Sequence, residues 1–215
     1  MWCIGKITQV YRDRMYSLIE LYLKPYNPKE PVVCVDEKSK QLIKETREPI
    51  KGKVRKIDYE YERNGTRNIF VAVEPIAGRR RVKVTKHRKK PDYAKFIRFV
   101  TDKVYPKADT IHIVADNLNT HFESSFYETF GEQEAERVLS RIKFHYTPKH
   151  ASWLNMAEIE IGVMDRQCLN RRIPNADMLK KELVAWQKAR NKVKAKIEWK
   201  FTKQDADDKL SRHYL

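Results

Sequence analysis

The stretch that most constrains the fold is KIDYEYERNGTRNIFVAVEPIAGRRRVKVT, residues 56–85. Apolar positions alternate through Ile57, Tyr59 and Tyr61, resume from Ile69 to Val73, and alternate again at Val82 and Val84. Asn64-Gly65 separates the first two runs, and both residues tolerate the positive φ that a tight type I′ turn demands. The expectation is a set of antiparallel strands that turns at Asn64-Gly65 and again near Gly78. Before it lies PVVCVDEKS, a β-branched run read as a buried strand ending on Asp36. Residues 37–56 between the two are basic and aperiodic, and read as a loop with weak helical content.

Helical spacing brackets this block. Val10, Met15, Leu18, Ile19 and Tyr22 follow a Thr8 cap, and Tyr93, Phe96, Ile97, Val100 and Val104 share one face of a helix opened by Pro91-Asp92. A second apolar strand, HIVAD, ends on Asp116. Polar helical sequence from Phe122 to Leu139 leads to IKFHYTP, a short strand, and then to helices over residues 152–170 and 176–192. KIEWKFTKQDADDKL reads as a short strand and a capped turn. This order gives an α/β protein, a mixed sheet flanked by helices. A ribonuclease-H-like fold has it, as do other α/β arrangements. The length of 215 residues suits one main domain over residues 29–193, with a leading helix and linker at 1–28 and a C-terminal strand and helix at 194–215.

The chain carries 45 Lys and Arg against 29 Asp and Glu, a formal charge of +16 spread along its length. Such an excess favours polyanionic partners, nucleic acid first. Cys3, Cys34 and Cys168 lack the paired spacing of a zinc knuckle or a disulfide framework and read as reduced thiols. No run approaches the roughly 18 apolar residues of a membrane span, and the first residues lack the apolar centre of a signal peptide. A cytoplasmic, nucleoid-associated protein without membrane contact is expected.

Asp36 and Asp116 each close an apolar β run. Ligands of open α/β sheets gather beyond the carboxyl ends of parallel strands, so two acids there suit a hard cation. A lone aspartate in such a place more often caps a turn. A two-metal site for phosphoryl transfer needs a third acid, and YTPKHASWLNMAEIEIGVMDRQ supplies Glu158 and Glu160. Helical geometry separates those two by roughly 200°. Leu154, Ala157, Ile161, Met164 and Cys168 form the expected buried stripe, and the glutamates flank it on opposite sides, so periodicity does not choose between them.

CVDEKS, VADNLNTH and YTPKHASWLNMAEIE together resemble the DDE transposases of the mariner superfamily, in particular the bacterial insertion-sequence branch. The resemblance runs along nearly the whole chain and aligns Asp36, Asp116 and Glu158 with that family's catalytic acids; Asn117, His121 and Asn155 match its other polar positions. Met156 stands where the family usually has proline. The resemblance implies a ribonuclease-H-like, five-stranded core in which Asp36, Asp116 and Glu158 bind two Mg²⁺ or Mn²⁺ ions. It also implies strand cleavage at transposon ends, then attack of the freed 3′-hydroxyl on target DNA, by a homodimer assembled on paired ends. Full-length relatives carry helix-turn-helix modules ahead of this core. The chain has no room for them, so a separate helix-turn-helix polypeptide is an expected partner. Two other readings remain: a non-catalytic DNA-binding remnant of a transposase, and a metal-dependent nuclease of the same fold.

DNA contact is expected from three basic stretches: Arg79, Arg80, Arg81, Lys86 and Arg88 in the first, Lys149 and His150 in the second, Arg171 and Arg172 in the third. The alternative for each is a solvated face, less so for Lys149 and His150, which precede the acidic helix. Asn117 and His121 should shape the site and the approach of DNA to it. Trp153 reads first as a core residue and second as a base-stacking one.

Overall fold

A computed structural model of the chain describes residues 5–47 and 58–215. Five strands form one sheet: β1 (Val32–Glu45), β2 (Tyr61–Glu74), β3 (Arg79–Thr85), β4 (Ile111–Ala115) and β5 (Ile142–Tyr146). Their order across the sheet is β3-β2-β1-β4-β5. The β1–β2 and β2–β3 pairs are antiparallel, whereas β4 runs parallel to β1 and β5 parallel to β4. This is the mixed five-stranded, ribonuclease-H-like sheet anticipated. Both faces of β1 and β4 are covered, which is why their apolar runs are continuous.

Two local expectations give way. β1 does not stop at Asp36 but pairs with β2 as far as Glu45↔Tyr61. Residues 37–45 are therefore strand, held by backbone pairing, although their mostly polar side chains hide the two-residue period. Asn64-Gly65 is not the hairpin turn, because it lies inside β2. The register moves from Gln41↔Thr66 to Ile43↔Arg63, so Asn64 and Gly65 together face Leu42 as a β-bulge, with Gly65 at φ +77°. A bulge uses the same left-handed freedom of glycine as a type I′ turn does. The hairpin instead closes between Glu45 and Tyr61. Ile57 and the end of the expected 37–56 loop lie outside the described residues. The turn near Gly78 is present as expected, at φ +63°.

Seven α-helices appear among the described residues: α1 (Gln9–Leu23), α2 (Lys90–Phe99), α3 (Ser124–Phe130), α4 (Glu132–Leu139), α5 (Met156–Met164), α6 (Ala176–Lys192) and α7 (Lys203–Leu210). The Thr8 side chain caps α1 by accepting the Tyr11 N–H, and Asp92 in the first turn of α2 accepts the Lys89 N–H. The single helix expected over 152–170 is a 3₁₀ turn (Ser152–Leu154), α5, and a π-helical turn (Asp165–Leu169). No strand forms in 196–201; Ile197 makes one bond, from its N–H to the Pro75 carbonyl at 3.1 Å. The capped turn after it is α7, where Thr202 and Asp205 cap each other.

Alternation along β1 sorts the core. Val33 and Val35 face α2, α3 and α4 together with Phe70, Ile111 and Ile113. Cys34 faces the other way, into a layer built by α1, α5 and α7 that includes Leu18, Leu154, Ala157 and Leu210. Further along that second face, Ile69 and Val71 of β2 pack under α5 and α6. Asp36, two residues after Cys34, therefore points to the α1–α5 side. An Ile7–Tyr214 bridge ties the segment before α1 to the one after α7.

Candidate active site

Parallel pairing of β1 with β4 ends at Cys34↔Val114. Two residues further come Asp36, still paired within β1, and Asp116, just past the end of β4, so the two aspartates lie level with each other. The third acid comes from α5, whose start is pinned to β1 by Asn155. The Asn155 amide, fully buried, donates to the Val35 carbonyl at 2.9 Å, and its oxygen accepts the Ala157 N–H at 3.1 Å as the helix cap. Tyr22 of α1 fixes the same turn, its hydroxyl donating to the Leu154 carbonyl at 2.7 Å. Glu158, exposed in the first turn of α5, is thereby held beside Asp36.

Electrostatics report that proximity. The Asp36 carboxyl is pushed up to about 7, first by burial and then by the charges of Glu158, Glu37 and Asp116, against the lowering effect of the Glu37 N–H bond. Negative charge is thus gathered around Asp36. Among the described residues no three acidic, histidine or cysteine side chains are drawn close enough to chelate an ion in this conformation. The donor set is nevertheless all oxygen, which fits a hard divalent ion, and burial beside other carboxylates is what raises the Asp36 pKa.

Asp116 behaves differently. Burial alone would raise its pKa, but it is lowered by His121, the Leu118 N–H and Arg88. His121 is 1% exposed, with Nδ1 2.6 Å from Asp116 Oδ1 as an ion pair, Nε2 3.0 Å from Glu37 Oε2, and its ring stacked on Tyr93. Burial pulls the imidazole down, yet the two carboxylates outweigh it and push it up to about 9. A buried imidazolium thus holds Asp116 ionised. His121 has no surface to offer DNA, which corrects that expectation.

Glu160 lies on the far side of α5, fully buried, 2.8 Å from Arg80 Nε and 2.7 Å from Arg190 Nε. The structure thus separates the two glutamates that periodicity left equal: Glu158 goes with the aspartates and Glu160 with two arginines. Arg80, 1% exposed, also donates to the Gly78 and Ala195 carbonyls, so it is an interior residue and not a surface contact.

The other expected DNA contacts divide. Lys86, Arg88, Lys149 and His150 are exposed, Arg79 is exposed and Arg81 half-buried. Arg88 sits 3.7 Å from Glu37, at the rim of the site. His150 holds a left-handed φ of 62° in the loop leading to α5. Arg171 pairs with Glu182, and Arg172 with Glu45 at 2.5 Å, so both guanidiniums are already matched. Asn117 is half-buried and donates to the Thr147 carbonyl, joining the exits of β4 and β5. Trp153 is 42% exposed and stacks on Trp199, at the surface and not in the core.

Sequence reasoning missed Arg14, which reaches Asn117 from α1 at 3.4 Å, and Glu37, the second carboxylate on His121. Nothing in the helical pattern marks Arg14. Glu37 had one signal: alternation from Asp36 sends it to the opposite face, where an isolated buried acid needs a partner.

A family model described as DDE superfamily endonuclease matches residues 31–180, more than half of the chain. The chain belongs to the DDE superfamily endonucleases. Solved structures agree on the fold of this DDE chain. The Mos1 transposase paired-end complex with left transposon end aligns with a TM-score of 0.56 at 14% identity, over 88% of this chain and 58% of that one. The Mos1 mariner paired-end complex with Mn gives 0.56 at 14%, over 91% and 60%, and the Mos1 strand transfer complex 0.59 at 13%, over 91% and 59%. The chain thus spans 58–60% of the length of these transposase chains. Among curated proteins, none matches it. No helix among the described residues is long and apolar enough to cross a membrane.

Proposed function

We propose that this chain is the catalytic core of a transposase from the bacterial insertion-sequence branch of the mariner superfamily, cleaving DNA at transposon ends and joining it to a target. The observation that carries the reading is the level placement of Asp36 on β1 and Asp116 just past the end of its parallel neighbour β4, with Glu158 delivered beside them by an Asn155-pinned helix, in a chain of the DDE family. Asp36, Asp116 and Glu158 would hold two Mg²⁺ or Mn²⁺ ions, which when bound neutralise phosphate charge and favour an attacking oxygen over bulk water. Asp116 is kept ionised for this by His121. Asp36, with its raised pKa, gains its full charge when positive charge arrives. Lys86, Arg88, Lys149 and His150 lie exposed around the site to take DNA phosphates. Phosphoryl transfer asks the protein mainly for position and charge, which this set supplies. Dimerisation on paired ends, a separate helix-turn-helix partner and nucleoid association complete the proposal.

The test is Mn²⁺- or Mg²⁺-dependent nicking and strand joining on DNA carrying the element's own ends, comparing the parent with Asp116→Ala. Activity in the parent that disappears in the variant is expected. A folded, DNA-binding parent that stays inert with either ion, even with a helix-turn-helix partner supplied, would leave the non-catalytic remnant as the better account. Metal-dependent cutting without preference for the ends would favour a nuclease of the same fold.

A further inference from the structure

A recess of about 620 Å³ opens beside the edge strand β3, lined by Tyr26, Gly78, Arg79, Arg81, Lys194 and Lys196 among others. Four cationic side chains converge on it from two separate segments, and no carboxylate lines it. Among the described residues none of the four forms an ion pair, in contrast to Arg80 between them, which is neutralised by Glu160. Strand alternation produces this difference: Arg80 points to the α5–α6 side, while Arg79 and Arg81 point the other way. The Nε of Arg81 is buried without a hydrogen-bond partner. Glu74, buried near Arg79, does not line the recess and accepts the Tyr105 hydroxyl at 2.9 Å.

The recess is built, not a chance meeting of long side chains. Lys194 is held at φ 45°, a left-handed conformation that is strained for a residue with a Cβ. That twist brings the Ala195 carbonyl onto Arg80 and presses the Lys194 carbonyl against Gly78, where any Cβ would collide. Asn191 closes the edge by accepting the Arg80 N–H at 2.9 Å and donating to the Arg80 carbonyl at 3.0 Å. The turn after β2 and the segment after α6 are thereby locked together, with Lys194 and Lys196 fixed beside Arg79 and Arg81.

This site is separate from the carboxylates. Asp36 pairs with Val71, three residues before Glu74, the partner of Arg79, and β3 lies two strands away from β1. Those offsets amount to roughly 10 Å along the strands and 10 Å across them. Arg79 and Arg81 also leave the sheet on the face opposite Asp36. One straight duplex seated at the acids does not fill the recess.

We infer that the Arg79–Arg81–Lys194–Lys196 recess is a second nucleic-acid site, gripping the phosphate backbone of a DNA segment other than the one at the carboxylates. It goes beyond the proposed chemistry and rests only on the chain acting on DNA. Four unmatched cations release counterions on binding phosphate, so they should govern the salt dependence of affinity in proportion to their number.

The experiment measures binding of a random-sequence duplex in chelator, across a salt series, for the parent, for Arg79→Gln/Arg81→Gln/Lys194→Asn/Lys196→Gln, and for Lys95→Gln/Lys143→Gln/Lys181→Gln/Lys188→Gln. Asn is chosen at 194 because it tolerates positive φ. The two variants lose equal charge. The recess variant is expected to bind tenfold or more weakly and to lose about 3 from the slope of log K against log salt, with a change of 1 or less in the control. Equal losses in both would overturn the site in favour of diffuse attraction. Acetylation of the parent's lysines with and without DNA needs no variant: protection of Lys194 and Lys196 beyond that of Lys181 and Lys188 supports the site, and equal labelling sinks it. Inorganic phosphate at matched ionic strength separates the sources, since displacement of DNA by phosphate alone would indicate a small-anion pocket and overturn the backbone assignment. No cleavage enters these readouts, so the recess and the catalytic reading fail independently.

Discussion

His121 sits between two carboxylates, so its proton is worth more in the folded chain than in the unfolded one. Its pKa rises from 6.5 to about 9, and Asp116 is lowered by the same contact, so the interaction is counted once. A raised histidine pKa gives stability that is complete below 6.5 and is lost as pH rises through 9. The size is about 2 kcal/mol once solvent near the half-exposed Asp116 is allowed for. Urea unfolding in chelator should therefore show the parent losing stability between pH 6.5 and 9, with that loss absent from His121→Gln; parallel curves would rule out the charged imidazole. Asp36 has the opposite sign. Its pKa is raised from 3.8 to about 7, so the folded state is progressively penalised as pH climbs through that interval and fully so above it. Asp36→Asn should stabilise the metal-free protein at pH 8 by about 2–4 kcal/mol. The same variant should forfeit most of the rise in melting temperature that Mn²⁺ gives the parent. A variant no more stable than the parent would mean that burial and the neighbouring acids do not penalise the Asp36 charge as described.

The element that matters most to the site is α5, because it carries one acid outward and another inward. Glu160 buried between Arg80 and Arg190 locks the helix to β3 and α6. Replacing it with Gln leaves two guanidiniums facing a neutral group in a water-poor interior, a loss of about 3–5 kcal/mol in thermal or urea unfolding. A drop below 1 kcal/mol would show that water already reaches the triad. How much of this could be read beforehand follows from the physics of each element. Apolar periodicity marked the stripe from Leu154 to Cys168, and the family motifs chose Glu158. No local pattern separates an acid facing solvent from one facing distant arginines, because Arg80 and Arg190 reach Glu160 only through tertiary packing. Asn64-Gly65 shows a different limit: sequence reports that a left-handed backbone is wanted, but a turn and a bulge want it equally. The second half of β1 escaped notice since its side chains are polar, and strand pairing there rests on the backbone. Asn155 was legible as a motif residue, yet its bond to the Val35 carbonyl required the sheet to be in place.

At the scale of the molecule, the family match over residues 31–180 and the folding unit do not coincide. One sheet face is covered by α2, α3 and α4, all inside that range. The other depends on α1 and on the segment after α6, which lie outside it. Trp199 packs on Tyr22 with ring centroids 4.9 Å apart, and Ala206 and Leu210 join Cys34 and Leu154 in one cluster. Those C-terminal residues therefore support the turn that Tyr22 and Asn155 hold in place before Glu158. Removing residues 194–215 would strip Ile197, Trp199, Phe201, Ala206 and Leu210 from that layer and take the Ala195 carbonyl from Arg80. At roughly 1.5–3 kcal/mol for each large apolar side chain returned to water, the loss is on the order of 5–10 kcal/mol. That matches the whole stability of an ordinary domain, about 5–15 kcal/mol. The truncated chain is expected to be largely unfolded by circular dichroism at 25 °C, while the parent melts in one cooperative step. If residues 1–193 instead fold and melt within a few degrees of the parent, the C-terminal segment is an appendage, and the placement of Glu158 rests on Asn155 and Tyr22 alone.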